Sequence, residues 1–160
     1  MTVKILVCDD DPAFVDEMTR LLYEQARCLD KEISVTECCE PGRLNEKNLA
    51  GFNIIFLDID MGEYNGISLA RWIRAAGLDT ILIFVTHYVE FSIDGYEVNA
   101  FRYLLKEDIA NKLPIYFQEA ILQIEKKKKA LYFSINGEDY VVKYENILFL
   151  ESRLRVIHLH

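Results

Sequence analysis

What the 160 residues lack narrows the field first. No stretch approaches the roughly 18 consecutive apolar positions of a membrane-spanning helix, so no membrane association is expected. The N-terminus Met1-Thr-Val-Lys-Ile-Leu-Val-Cys8 has neither a charged n-region nor a cleavage site, and reads as a strand rather than a secretory signal. Glycine-rich phosphate loops are missing, which disfavours a nucleotide-binding enzyme. Cysteine occurs only at Cys8, Cys28, Cys38 and Cys39, with no C-x-x-C pair. Adjacent Cys38-Cys39 is a poor disulfide or zinc pattern. All four are expected to be buried, reduced thiols in a cytoplasmic protein. Positive charge is scarce over residues 1–125, where 11 Lys/Arg face 22 Asp/Glu, and such a body would repel nucleic acid. Residues 126–160 reverse the balance, with 7 Lys/Arg against 4 Asp/Glu. The break falls at Lys126-Lys-Lys-Lys129, which reads as a solvated helix end where cations suit the helix dipole.

Hydrophobic residues make up 51% of the chain, enough for one packed domain and part of a second. The stretch Phe52-Asn-Ile-Ile-Phe-Leu-Asp58 has no clean alternation and reads as a strand buried on both faces. Similar runs cover Val3–Cys8, Ile81–Thr86 and Ala100–Lys106, with a more alternating strand over Lys31–Cys38. Helical patterns lie between them. Asp11-Pro12 looks like an N-cap and first helical position, and Phe14, Met18, Leu21 and Leu22 carry that helix to about Arg27. Pro41-Gly42 begins a short helix through Leu49. A helix after the turn-rich Met61–Gly66 faces Leu69, Ala70 and Ile73 inward and Arg71 and Arg74 to water. Further helices are expected over Glu90–Val98 and from about Leu113 to Lys129, with Pro114 in the first turn. Five β-α repeats argue a doubly wound parallel sheet. After Lys129 the pattern is purely β-type: Leu131–Ser134, Tyr140–Val142, Ile147–Leu150 and Arg155–Leu159, with a hairpin signal at Asn136-Gly137. The expected division is 1–128 and 129–160, the second part being a truncated domain.

In a parallel sheet the strand ends lie on one edge, so Asp9, Asp10, Asp58, Thr86 and Lys106 should converge. Asp58 alone could be a turn-capping residue. Three carboxylates together call for a cation, and all-oxygen ligands suit Mg²⁺. A lysine and a threonine can hold the remaining oxygens of a phosphoryl group. The set points to phosphoryl transfer to Asp58.

These residues resemble the receiver domain of a two-component response regulator. The matching pieces are Val7-Cys8-Asp9-Asp10, Leu57-Asp58-Ile59-Asp60-Met61, Asn65-Gly66, Val85-Thr86 and Tyr103-Leu-Leu-Lys106, over roughly residues 3–128. The resemblance implies a flavodoxin-like sheet of order 2-1-3-4-5 and a stoichiometric phosphoryl acceptor rather than a turnover enzyme. It makes Asp58 the phosphoacceptor, served by a sensor histidine kinase. Mg²⁺ would be bound directly by Asp10 and Asp58, through water by Asp9, and by the backbone carbonyl of Asp60. Lys106 and Thr86 would contact the phosphoryl group, and Thr86 and Tyr103 would form the switch, promoting a homodimer. Three residues depart from the family pattern: Gly62 and Glu107 where proline is usual, and His87 where a small residue follows the threonine.

The tail, with Asn136-Gly137 and Ile147-Leu-Phe-Leu-Glu-Ser152, resembles the start of a LytTR-type DNA-binding domain. So does the phrase Asp94–Tyr103, typical of receivers attached to such domains. The resemblance implies that only the full-length protein binds promoter DNA. Two other readings stay open. Asp58-Ile-Asp60 is similar to the nucleophile motif of haloacid-dehalogenase-type phosphatases, although there the acid pair comes late in the chain. The fold could also serve as a phosphorylation-independent interaction module.

Overall fold

The computed structural model describes residues 2–45, 49–88, 97–128, 130–144, 147, 150–153 and 156–159. It divides into two units, Met1–Ala120 and Ile121–His160. In the first, β1 (Val3–Cys8), α1 (Pro12–Cys28), β2 (Ile33–Cys38) and β3 (Ile54–Leu57) follow one another. A small antiparallel pair, β4 (Asp60–Met61) with β5 (Tyr64–Asn65), leads into α2 (Gly66–Ala75), β6 (Ile81–Thr86) and β7 (Arg102–Leu105). Five strands form one parallel sheet in the order β2-β1-β3-β6-β7, the 2-1-3-4-5 order expected.

Burial explains the strand patterns. β3 and β6 are buried at every position, because neighbours flank them and both faces are covered. Edge strand β2 is nowhere fully buried and keeps its alternation. On one face Leu6, Cys8, Ile55, Leu57, Leu82 and Phe84 pack with Ile67, Ala70 and Ile73 of α2. α1 buries Val15, Met18, Leu22 and Ala26, so its inward stripe is set by these rather than by Phe14 and Leu21.

Caps fix where the helices begin. Asp11 Oδ1 accepts from Ala13 N (3.0 Å), with Pro12 at the first position, as expected. Asn65 Oδ1 accepts from Ile67 N (2.8 Å) and Ser68 N (3.2 Å) at the start of α2.

Several expectations need correction. Pro41–Arg43 is one 3₁₀ turn, residues 44–45 are not helical, and of the rest of the helix expected through Leu49 only Leu49, which is helical, lies within the described residues. Most of the helix expected over Glu90–Val98 also lies outside them. The last helix, α3 (Ile109–Lys128), begins earlier than expected, because a 3₁₀ turn at Lys106–Asp108 delivers the chain straight into it. Pro114 therefore sits inside the helix and leaves one backbone acceptor without its N–H. Of the cysteines, only Cys8 is buried; Cys28 is exposed, and Cys38 and Cys39 are half-buried at the end of edge strand β2 and just after it.

Arg74 does not face water either. Its guanidinium donates to the carbonyls of Val98 (2.8 Å), Leu78 (3.0 Å), Thr80 (3.0 Å) and Asn99 (3.3 Å). Five N–H donors in a rigid fork make such multiple bonding possible. Arg74→Met should keep the stem packing but strand these acceptors. The expected cost is about 2–3 kcal/mol, read as a lower urea midpoint with unchanged slope. An unchanged midpoint would show that the carbonyls find other donors.

In the second unit, β8 (Ala130–Ile135) and β9 (Glu138–Lys143) form an antiparallel hairpin. Its turn residues Asn136 and Gly137 have φ of 54° and 83°, the two positive values a type I′ turn requires. Phe133 and Tyr140, opposite one another, stack at 5.7 Å. A second antiparallel pair joins β10 (Leu150–Arg153) to β11 (Val156–Leu159). Of the strand expected over Ile147–Leu150, Ile147 is not in a strand, Leu150 opens β10, and residues 148–149 lie outside the described residues.

Candidate functional site

β1 and β3 end side by side, and their last residues hand the chain to Asp9 and Asp58. Asp9 and Asp58 are buried and Asp10 is exposed. One carboxylate oxygen from each of the three lies within 4.8 Å of the others. β7 brings Lys106 to the same edge, where its Nζ lies 2.5 Å from Asp9 Oδ2 and 3.0 Å from Asp58 Oδ2. The ammonium also sits 4.1 Å from the centre of the Phe14 ring, a cation–π contact that gives this α1 residue a place at the site.

The remaining lone pairs are partly used. Asp58 Oδ1 accepts from Ile59 N (2.7 Å), and Asp9 Oδ1 from Asp11 N (2.9 Å). Burial pushes the Asp9 carboxyl above the usual range, against the opposing pull of Lys106 and the Asp11 N–H. Burial also works against the Lys106 ammonium, but its hydrogen bonds to Asp9 and Asp58 prevail and hold its pKa above the ordinary value. One lysine thus faces two carboxylates at its edge and a third close by. Asp9 Oδ2 is buried and has the Lys106 ammonium as its partner. An all-oxygen set with spare negative charge fits a small divalent cation such as Mg²⁺.

Thr86, at the end of β6, is fully buried, and its Oγ1 accepts from Tyr88 N (3.4 Å). Tyr103 on β7 is half-buried beside Phe84, with ring centroids 6.1 Å apart. Its hydroxyl donates to the carbonyl of Tyr88. The Tyr88 hydroxyl in turn donates to Asp60 Oδ2 (3.2 Å). The expected site residues therefore gather at one end of the sheet, and Tyr88 connects three of them. Nothing in the sequence marks Tyr88, because its partners Asp60 and Tyr103 are distant in the chain. His87 and Glu107, two of the family departures, face each other at 3.7 Å on the surface. Gly62 has φ of +67°, so its turn uses a conformation that a proline would forbid.

Residues 5–118 match the response regulator receiver domain family. The chain belongs to this family. The receiver is 30% identical over 162 residues to the sensory transduction protein LytT of Bacillus cereus, covering 98% of this chain and 63% of that protein. The transcriptional regulatory protein LytR of Staphylococcus aureus is 31% identical over 106 residues, covering 65% of the receiver chain and 41% of LytR. The chain thus spans less than two thirds of the length of these relatives. Among solved structures, the response regulatory domain of protein mrkE from Klebsiella pneumoniae shares the fold. Its TM-score is 0.67 at 22% identity, over 77% of the receiver chain and 98% of its own. So does the response regulator TrrA from Thermotoga maritima, solved in complex with Mg²⁺-BeF. There the TM-score is 0.63 at 23% identity, over 74% and 98% of the two chains. Among the described residues of the receiver, no helix is long and apolar enough to cross a membrane.

Proposed function

We propose that Asp58 accepts a phosphoryl group from the phosphohistidine of a sensor kinase, with Mg²⁺ bound beside it. The observation that carries this reading is the Lys106 ammonium bridging Asp9 and Asp58 next to the third carboxylate of Asp10. Asp58 Oδ2 forms the new P–O bond as the donor's P–N bond breaks and the imidazole leaves. Lys106, which neutralises Asp58 at rest, then pairs with a phosphoryl oxygen. The Thr86 hydroxyl donates to another. Asp9, Asp10, Asp58 and the carbonyl of Asp60 would hold Mg²⁺, which supplies charge stabilisation for the transferred oxygens. Movement of Thr86 would pull on Tyr88 N and through its carbonyl on the Tyr103 hydroxyl, biasing one of two arrangements of that face. On this reading residues 1–128 are the phosphoacceptor domain and 129–160 the first part of a LytTR-type module. The full-length protein would act in the cytoplasm, dimerise on phosphorylation and regulate transcription by binding promoter DNA. Sedimentation with a phosphoryl mimic, and promoter binding by this chain against a longer one, test those two steps.

The deciding experiment exposes the protein to a small phosphodonor with and without Mg²⁺. One phosphoryl group per chain, slowly released and acquired only with Mg²⁺, is expected. Rapid multiple turnover would favour the phosphatase reading instead.

Two further outcomes follow from the same geometry. Mg²⁺ at about ten times its Kd should stabilise the fold by about 1.4 kcal/mol, since only the folded chain assembles the three carboxylates. Thermal melting reads this, and Asp10→Ala should remove most of the shift. Lys106→Ala should weaken phosphorylation or signalling while the Mg²⁺-bound protein stays folded. Each lost charge-assisted hydrogen bond is worth about 1.5–3 kcal/mol. Normal activation of this variant in a reporter assay would contradict the role given to Lys106.

A further inference from the structure

Two thiols lie at the ends of the first two strands, and the phosphoryl chemistry uses neither. Cys8 and Cys38 are register partners across parallel strands β1 and β2. Neighbouring strands run about 4.8 Å apart, inside the roughly 4.4–6.8 Å Cα separation of disulfides. Both side chains pack on the same core face. Their accessibility differs. Cys8 is 1% exposed, its Sγ also 3.8 Å from Met61 Sδ. Cys38 is half-buried and lines a cavity of about 260 Å³ with Leu6, Cys39, Arg43, Leu44 and Phe52. A small core residue would satisfy packing at position 8. Packing alone does not call for a second thiol beside it on the wall of a cavity.

We propose that Cys38 and Cys8 form a peroxide-reactive dithiol site, Cys38 being oxidised first and Cys8 closing a disulfide between β1 and β2. The Cys38 sulfur attacks the peroxide and breaks its O–O bond, giving a sulfenic acid and water. The Cys8 sulfur then attacks the sulfenic sulfur. The S–S bond forms, the S–O bond breaks, and the hydroxyl leaves as water with the Cys8 proton. Two thiols lose two electrons and two protons, and one hydrogen peroxide becomes two waters.

The bond would act directly on the strand ends that carry the acids. The Cys8 carbonyl accepts from Asp58 N (2.9 Å), and the Cys38 carbonyl from Asp9 N (3.1 Å). Drawing the two sulfurs together therefore moves the backbone that aims Asp9 and Asp58. Resting on the proposed reading of those acids, the cross-linked chain should bind Mg²⁺ about tenfold more weakly, as for lost outer-shell support.

The test titrates the reduced chain with hydrogen peroxide and maps its peptides by mass without reduction. A Cys8–Cys38 linked pair, missing two hydrogens and reversed by dithiothreitol, is expected. It should persist in Cys28→Ser and Cys39→Ser and vanish in Cys38→Ser, a half-exposed position where the fold should hold. Cys8→Ala should instead leave Cys38 at the sulfenic or sulfinic stage. Oxidation confined to Cys28 or Cys39, or Cys38 passing to sulfinic acid in the wild type without a cross-link, overturns the proposal. Calorimetric Mg²⁺ titration of the cross-linked and reduced forms reads the coupling, and equal affinities overturn it. Because the cross-link is read by mass, its failure is distinguishable from failure of the phosphoacceptor reading.

Discussion

Asp58→Asn is expected to abolish Mg²⁺-dependent acquisition of a phosphoryl group. The amide keeps the shape of the carboxylate, and its oxygen can still accept from Ile59 N, which now bonds Asp58 Oδ1 at 2.7 Å. It has no anionic oxygen left to attack phosphorus. It also removes one of the three charges that would hold the cation. Lys106 retains Asp9 as a partner at 2.5 Å, so the buried ammonium stays paired and the fold should persist. Loss of labelling with unchanged circular dichroism is therefore the expected pair of results. Labelling of the Asn variant at the wild-type extent and position would remove Asp58 from the role of acceptor.

Gly66→Ala is expected to have the largest effect on the fold at the site. Gly66 opens α2, and its N–H donates to Ile59 O (2.8 Å). A Cβ added here would stand 1.9 Å from Asp58 O and 2.9 Å from Ile59 Cα. Both are backbone atoms, so no side chain can swing aside. Either α2 retreats from β3 or the peptide after Asp58 turns. The first opens the packing of Ile67, Ala70 and Ile73, and the second re-aims the acceptor carboxylate. A loss of about 3 kcal/mol is expected, at the upper end for overpacking. Gly51→Ala is the control, since nothing lies within 4 Å of a Cβ there. Urea unfolding of both variants decides the point. Equal midpoints for Gly66→Ala and wild type would mean that this approach relaxes without cost.

The chain alone determined much of this protein. Buried runs alternating with amphipathic stretches set the order of strands and helices, because burial on two faces removes polar residues from central strands. Acids at Asp9, Asp10 and Asp58 and the lysine at Lys106 stand where strands end, so parallel strands had to bring them to one edge. Asn136-Gly137 specified its turn, because both positions need positive φ.

Other features were decided only by the tertiary structure. The helix patterns of α1 and α2 marked amphipathic stretches but misjudged some faces. Phe14 found Lys106, and Arg74 turned toward carbonyls of the following segment and of distant Val98 and Asn99. Tyr88 became a connection between Thr86, Tyr103 and Asp60 because the sheet brings the ends of different strands to one edge. Cys8 and Cys38, separated by a helix in the chain, became neighbours through strand register. Periodicity records which face of an element is buried. Which strand lies beside it, and in what register, depends on pairing between distant segments.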